Sequence, residues 1–181
     1  MSGHSKWAQI KRKKALTDSK KGQIFSKLSK IIELTAKKGI DPKTNFSLKT
    51  AIDQAKAVNM PASNIDRAIE KGGGKGEVSN LEKIIYEAYG PGGVALMIVA
   101  VTNNKNRTVS DIKHILSAND CNMTGTGSAK WLFEMKPEDG KAVLIPKQTI
   151  KLNEVDESKL SKLLSELDEQ DDVSEVFSNA D

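Results

Sequence analysis

The sequence predicts an α+β fold in which a three-helix domain precedes a sandwich-like domain, a mixed or antiparallel sheet carrying two helices. Apolar residues recur at helical spacing in the first part of the chain, whereas runs rich in Ile, Val and Tyr dominate the second. The glycine-rich run 72–76 separates the two patterns. We therefore expect domains at residues 1–76 and 77–181, with 72–76 as a hinge.

Three helices are expected before the glycine run. The first begins at an Asp18 cap, continues to about Lys38 and ends at Gly39. Asn45 caps the second helix, and Pro61 stands where the third begins. The apolar stripe of the first helix faces the core, and its opposite side presents a set of cations. These are Lys20, Lys27, Lys30, Lys37 and Lys38.

The second part of the chain has the two-residue period of strands. Residues 83–89 and 94–102 are predicted to pair as antiparallel strands around a turn at 90–93. The remaining elements are predicted from the same patterns. They are a helix over 108–117 capped by Thr108, a strand at 128–135, one or two strands over 142–152 around Pro146, a helix over 156–167 and a short closing strand at 173–177.

Charge is unevenly divided along the chain. The whole carries 28 basic and 24 acidic side chains, a net +4. Residues 1–76 hold 17 basic and 6 acidic side chains, a net +11, whereas 77–181 hold 11 and 18, a net −7. Residues 1–38 alone reach +9. A polyanion is therefore expected to bind the first half.

The run Lys11-Arg12-Lys13-Lys14 carries the sharpest local signal. Successive helical residues point about 100° apart, so the four cations share no single solvated face unless the segment projects from the fold. Phosphates are the common neutralising partner, and Trp7 adds an aromatic platform for stacking. A solubilising tail and a helix lying on an anionic membrane are the alternatives. The predicted nucleic-acid-binding residues are Lys6, Trp7, Lys11, Arg12, Lys13, Lys14, Lys20, Lys21, Lys27 and Lys30.

Two further segments bear on function. Gly90, Pro91, Gly92 and Gly93, together with Arg107, form a candidate functional loop. The acidic run 168–172 would be repelled by nucleic acid. It could contact a basic protein or fold back on the basic half, but a solvated turn is the favoured interpretation.

The inventory for catalysis is thin. With only two histidines and one cysteine, the sequence identifies no pair of a catalytic nucleophile and its general base. These three residues are also too few for a zinc site made of His and Cys alone. We expect no enzymatic activity, no cofactor and no metal. A lone cysteine fits a reducing compartment, and no apolar run approaches the length needed to span a bilayer. We therefore expect a cytoplasmic monomer that does not bind membranes.

Several motifs, taken together and in order, resemble the YebC/PmpR family. They are Gly3-His4-Ser5-Lys6-Trp7, Asn59-Met60-Pro61, the segment 86–93, Asn106-Arg107-Thr108 and the closing segment 171–180. The resemblance implies a helical first domain, α/β domains behind it and a role in gene expression. Bacterial members are described as transcriptional regulators that bind promoter DNA, and others as translational activators or factors tied to the ribosome. It implies no catalytic residues.

The chain departs from that family pattern at one place. Members usually carry a third domain inserted within the second, whereas here a short loop near 136–141 connects the strands directly. Three functions stay open: a DNA-binding transcriptional regulator, a ribosome-associated translation factor that binds ribosomal RNA, and a protein-interaction module. Lysines bind phosphates without recognising the base sequence, whereas a base-reading helix is expected to present Arg, Asn or Gln. The first 38 residues hold only one Arg and two Gln, which favours RNA or non-specific binding.

Overall fold

The chain folds into a helical first half and a layered second half. A computed structural model describes residues 18–75, 80–138 and 141–181. The first half holds α1 (Asp18–Ala36), α2 (Phe46–Ala57) and α3 (Ala62–Gly72). Their apolar stripes meet in one cluster, whose most buried members include Ile32, Ala36, Leu48 and Ala55. The three predicted helices are confirmed, with α1 ending two residues earlier than expected.

Asn45 caps α2 as predicted and also fastens it to α1. Its side-chain oxygen accepts a hydrogen bond from the backbone N–H of Leu48 at 3.1 Å. Its amide group donates to the carbonyls of Thr35 at 2.8 Å and Gly39 at 2.7 Å. One side chain therefore satisfies an unpaired donor at the start of α2 and carbonyls at the end of α1, which sets the angle between the two helices.

The glycine run begins inside a helix rather than after it. Gly72 is the last residue of α3, and a Cβ placed there would lie 2.3 Å from the Glu33 carbonyl oxygen and 2.6 Å from the Ala36 Cβ. Gly72 thus allows α3 to pack closely on α1. The predicted break of regular structure at 72 is wrong by one residue, because helix packing requires a glycine at that position.

A four-stranded antiparallel sheet forms the second half, in the order β3-β1-β2-β6. The strands are β1 (Glu82–Tyr89), β2 (Ala95–Thr102), β3 (Asn122–Thr124) and β6 (Val173–Ser178). Two helices, α4 (Lys105–Ala118) and α5 (Glu154–Glu169), cover one face through a second apolar cluster. The predicted α+β class is confirmed. All eight residues of the central strand β2 are buried, so both faces of the sheet are covered there.

A separate hairpin packs on the other face of the sheet. It pairs β4 (Phe133–Glu138) with β5 (Lys141–Pro146), and its register runs from Phe133 opposite Pro146 to Glu138 opposite Lys141. Phe133 and Leu144 cluster with Ala95 and Met97 of β2. The short connection expected near 136–141 is therefore the end of a two-stranded hairpin.

Two sequence predictions in this half are wrong in detail, and one short strand was not predicted. Thr108 does not cap α4; the helix begins one turn earlier at an Asn104 cap, which frees Thr108 for a buried position. The strand expected at 128–135 is divided into a 3-10 turn at Lys130–Leu132 and the start of β4. The short β3 went unpredicted, since three residues with mixed polarity give little periodic signal.

Among the described helices, none is long and apolar enough to cross a membrane.

Candidate nucleic-acid interface

The predicted nucleic-acid-binding residues divide into two groups. Lys6, Trp7, Lys11, Arg12, Lys13 and Lys14 lie outside the described residues. Lys20, Lys21, Lys27 and Lys30 all lie on α1. Lys21 is exposed near the start of the helix, whereas Lys27 and Lys30 are half-buried. The structure therefore places the α1 lysines in different surroundings.

Lys27 and Lys30 face the acidic turn that follows α5. The Nζ atom of Lys27 donates to the Asp168 carbonyl oxygen. Lys30 Nζ lies 3.1 Å from the Asp171 carbonyl oxygen and 2.7 Å from Asp172 Oδ1. The solvated turn favoured from the sequence is thus wrong for this segment, because the acidic run folds back on the basic helix.

The end of α5 explains why cations are needed there. The last turn of a helix leaves carbonyl oxygens without intrahelical partners and carries a partial negative charge. In α5 that turn also holds Glu166, Asp168 and Glu169, which add to the unfavourable field. Lys27 and Gln23 of α1 donate to the Asp168 and Glu169 carbonyls. These two side chains of α1 therefore serve as C-terminal caps of α5.

Asp172 is the centre of the contact between the two halves. It is 2% exposed, and its carboxylate accepts from Lys30 at 2.7 Å, Arg107 at 2.9 Å and Thr108 at 2.8 Å. Burial alone would raise the pKa of Asp172, but the hydrogen bonds from Lys30, Thr108 and Arg107 lower it to about 2. The Asp172 carboxylate therefore stays charged and connects α1 and α4 to the start of β6.

Sequence reasoning missed the role of Asp172. The available signal was a carboxylate directly before a closing apolar strand, next to other acidic residues. Nothing in its spacing names Lys30 or Arg107 as partners, since these residues are 142 and 65 positions away.

The candidate functional loop does not come together in the fold. Gly90, Pro91, Gly92 and Gly93 form the turn between β1 and β2, closed by the Gly90 N–H donating to the Val94 carbonyl at 2.7 Å. Arg107 follows the other end of β2. An eight-residue strand spans about 25 Å, so these residues belong to opposite ends of the sheet. Arg107 belongs with Asp172, and Gly92 lies against Leu152 and Asp156.

Other cations of the helical half lie at the surface. Lys49 and Lys56 are two turns apart on α2, and Arg67 and Lys71 are one turn apart on α3. Spacing of this kind places each pair on one helical face. The exposed cations described in this half are Lys21, Lys37, Lys38, Lys43, Lys49, Lys56, Arg67, Lys71 and Lys75.

Across residues 18–75, 80–138 and 141–181, no group of three or more His, Cys, Asp or Glu side chains is placed to hold a metal ion. Cys121 is buried, and burial together with Asp120 raises the pKa of its thiol. A thiol in such a setting is a poor nucleophile.

The fold and this surface define a class: an α+β protein whose lysine-rich helical half is joined to an acidic sheet half. The N-terminal domain of the TACO1/YebC proteins matches residues 5–75, and the second and third domain of the same proteins matches residues 81–138. The chain belongs to the TACO1/YebC family.

Curated relatives carry the name probable transcriptional regulatory protein. The one from Desulforamulus reducens is 37% identical over 238 aligned positions, covering 99% of this chain and 98% of the relative. The one from Trichormus variabilis is 53% identical over 139 positions, which cover 75% of this chain and 55% of the relative. A conserved hypothetical protein from Aquifex aeolicus has a similar crystal structure, with a TM-score of 0.84 and 33% identity over 98% of this chain and 97% of that one.

This chain is a short member of its family. The alignment with the Desulforamulus relative has 238 positions against 181 residues here, so at least 57 positions of the relative have no counterpart. The second family match ends at residue 138, in the β4–β5 hairpin. The shortness expected from the sequence is confirmed.

Proposed function

We propose that this protein regulates gene expression by binding nucleic acid through its basic helical half, and that it catalyses no reaction. The observation that carries the proposal is the charge separation, +11 over residues 1–76 against −7 over 77–181. Relatives named as regulators of transcription support it. We place the protein in the cytoplasm as a monomer, with the two halves as its domains.

The hydrogen bonds that α1 makes within the protein distinguish lysines that bind the acidic turn from those we assign to phosphate contacts. Lys27 and Lys30 already bind the acidic turn, so they contribute less to a ligand than the sequence suggested. Lys20 and Lys21 lie about two to three turns nearer the start of α1, closer in sequence to the Lys11–Lys14 cluster. We assign the phosphate contacts to that cluster, to Lys20 and Lys21, and to the exposed cations of α2 and α3.

Replacing Lys11, Arg12, Lys13 and Lys14 by Glu tests the basic surface. We expect the variant to lose binding to DNA and RNA, because phosphate contacts supply most non-specific affinity. For the wild type on duplex DNA, log affinity should fall by roughly 0.9 per log unit of salt for each phosphate neutralised. Fluorescence anisotropy at a series of salt concentrations measures both effects.

A matched control has the same charge change on the other half. Lys83, Lys113, Lys159 and Lys162 are exposed, and Glu at these four positions should leave binding nearly unchanged. If both quadruple variants lost the same affinity for nucleic acid, the effect would be due to net charge rather than to the Lys11–Lys14 surface. Salt-independent binding of the wild type would contradict the proposal outright.

A second candidate is a ribosome-associated translation factor that binds ribosomal RNA. It is favoured by the composition of residues 1–38, which hold ten Lys but only one Arg and two Gln, because a helix that reads bases is expected to present Arg, Asn or Gln to the base edges. Sedimentation of a lysate with and without nuclease separates the candidates. Comigration with ribosomes supports the translation factor, whereas free protein with selective promoter footprints supports the DNA-binding regulator. Capture of a protein with neither behaviour supports the protein-interaction module.

A further inference from the structure

A large aromatic side chain stands exposed on the acidic half. Trp131, in the 3-10 turn before β4, is 63% exposed. Its indole N–H donates to the Ser128 carbonyl oxygen at 2.9 Å, and the same oxygen accepts from the Tyr89 hydroxyl at 2.7 Å. The ring is therefore exposed and yet fixed in orientation.

The turn that carries Trp131 is itself held by a buried carboxylate. Glu87 of β1 is 4% exposed and accepts from the backbone N–H groups of Gly127 at 2.7 Å, Ala129 at 2.7 Å and Lys130 at 2.9 Å. Burial alone would raise the pKa of Glu87, but these hydrogen bonds and Lys130 lower it below its ordinary value. A charged group inside the sheet thus keeps the turn in one conformation.

Two exposed lysines belong to the segments that carry or adjoin Trp131, although the half as a whole is acidic. Lys130 precedes it and is exposed. Lys147 is exposed too, and its backbone N–H donates to the Leu132 carbonyl at 2.9 Å, one residue from Trp131. The nearby Glu134 is paired with Lys136 at 3.3 Å. Residues 124–151 hold five Lys and three acidic side chains, a net +2 within a half that carries −7.

We propose that Trp131 stacks on an unpaired base of single-stranded nucleic acid, with Lys130 and Lys147 contacting the neighbouring phosphates. Single-strand binding proteins combine exposed aromatic rings with cations, whereas the bases inside a duplex are already stacked on one another. Protein interfaces are instead depleted of Lys around their aromatic anchors. The inference rests on the proposed function and narrows its ligand.

Fluorescence tests the stacking directly. The chain has two Trp, so Trp7→Phe leaves Trp131 as the only indole. Titration of this variant with single-stranded oligouridylate should quench the emission, because a stacked base contacts the ring face. An RNA duplex of the same length should leave the emission nearly unchanged. Absence of quenching at saturating single strand would overturn the proposal.

Affinity provides a second measurement in the wild-type background. Trp131→Ala should weaken single-strand binding roughly 5- to 100-fold, and Trp131→Phe much less, with duplex binding unchanged. Met135→Ala is the matched control, since Met135 is 61% exposed on the adjoining strand and should have no effect.

The outcomes separate this proposal from the one on which it rests. If the Lys11–Lys14 variant loses binding while Trp131→Ala binds like wild type, the nucleic-acid function stands and the stacking site is wrong. If the wild type binds neither single strand nor duplex, both are wrong. If Trp131→Ala instead abolishes self-association or capture of a protein, the surface is a protein interface and the stacking proposal is overturned.

Discussion

Asp172 shows how one buried carboxylate can join segments far apart in the chain. Its two oxygens receive donors from α1 and α4, while its backbone carbonyl accepts from Val101 of β2 at 2.8 Å. A buried charge without such partners would be strongly destabilising. Here the donors stabilise the charged form, so the carboxylate contributes to stability only while it is ionised.

The lowered pKa of Asp172 predicts a pH dependence. The pKa falls from 3.8 to about 2, so the contribution is fully present above about pH 4 and is lost as pH falls through 2. The shift corresponds to about 2 kcal/mol at neutral pH. Asp172→Asn should therefore lower the free energy of unfolding at pH 7 by about that amount and flatten its acid dependence. Urea unfolding at a series of pH values measures both.

Asp171→Asn is the control for that experiment, because Asp171 is exposed and should change stability little. If the Asp172→Asn variant retained the acid slope of the wild type, another carboxylate would be responsible for it.

Among the helices, the two glycines Gly22 and Gly72 differ in whether packing requires them. Gly22 in α1 has no atom near the position of a Cβ, whereas the same position at Gly72 in α3 meets the backbone of α1. Glycine lowers helix propensity by about 1 kcal/mol relative to Ala. That loss is balanced by close helix packing only at Gly72.

Substituting Ala at each glycine should give effects of opposite sign. Gly72→Ala introduces a backbone clash at 2.3 Å and should destabilise the protein by about 1–3 kcal/mol. Gly22→Ala should stabilise it by up to about 1 kcal/mol. Thermal unfolding of the two variants, measured side by side, checks both effects. A stabilising Gly72→Ala would contradict the close packing of α3 on α1 at that position.

For the whole molecule, a set of charged and polar contacts joins the two halves. The helical half and the sheet half have separate apolar clusters. Between them lie Gln23, Lys27 and Lys30 on one side and the acidic turn 168–172 on the other. We propose that these clusters are two domains whose relative placement depends on the α1 lysines.

The double variant Lys27→Ala, Lys30→Ala tests that dependence. It removes a C-terminal cap of α5 and one partner of buried Asp172, so we expect a lower unfolding temperature and two separate calorimetric transitions. Lys43→Ala, Lys49→Ala removes the same charge from exposed positions and should unfold as the wild type does. Identical melting curves for the two double variants would contradict the proposal.

Local chemistry was predictable from the sequence, and long-range pairing was not. Asn45 and the turn at 90–93 were identified because capping and turn formation depend on neighbouring residues. The α+β class followed from periodicity. The partners of Asp172, the close approach at Gly72 and the exposure of Trp131 depend on residues distant in sequence. Nothing in one sequence brings such residues together, so the grouping of Arg107 with Gly90–Gly93 was wrong.

The β4–β5 hairpin has a consequence for how chains of this family change length. Its register pairs Glu138 directly with Lys141, so the end of β4 and the start of β5 are adjacent. An inserted domain whose own termini are close can therefore be accommodated there without disturbing Phe133 or Leu144 below. The same geometry makes this position suitable for grafting a compact reporter protein whose own termini are close together.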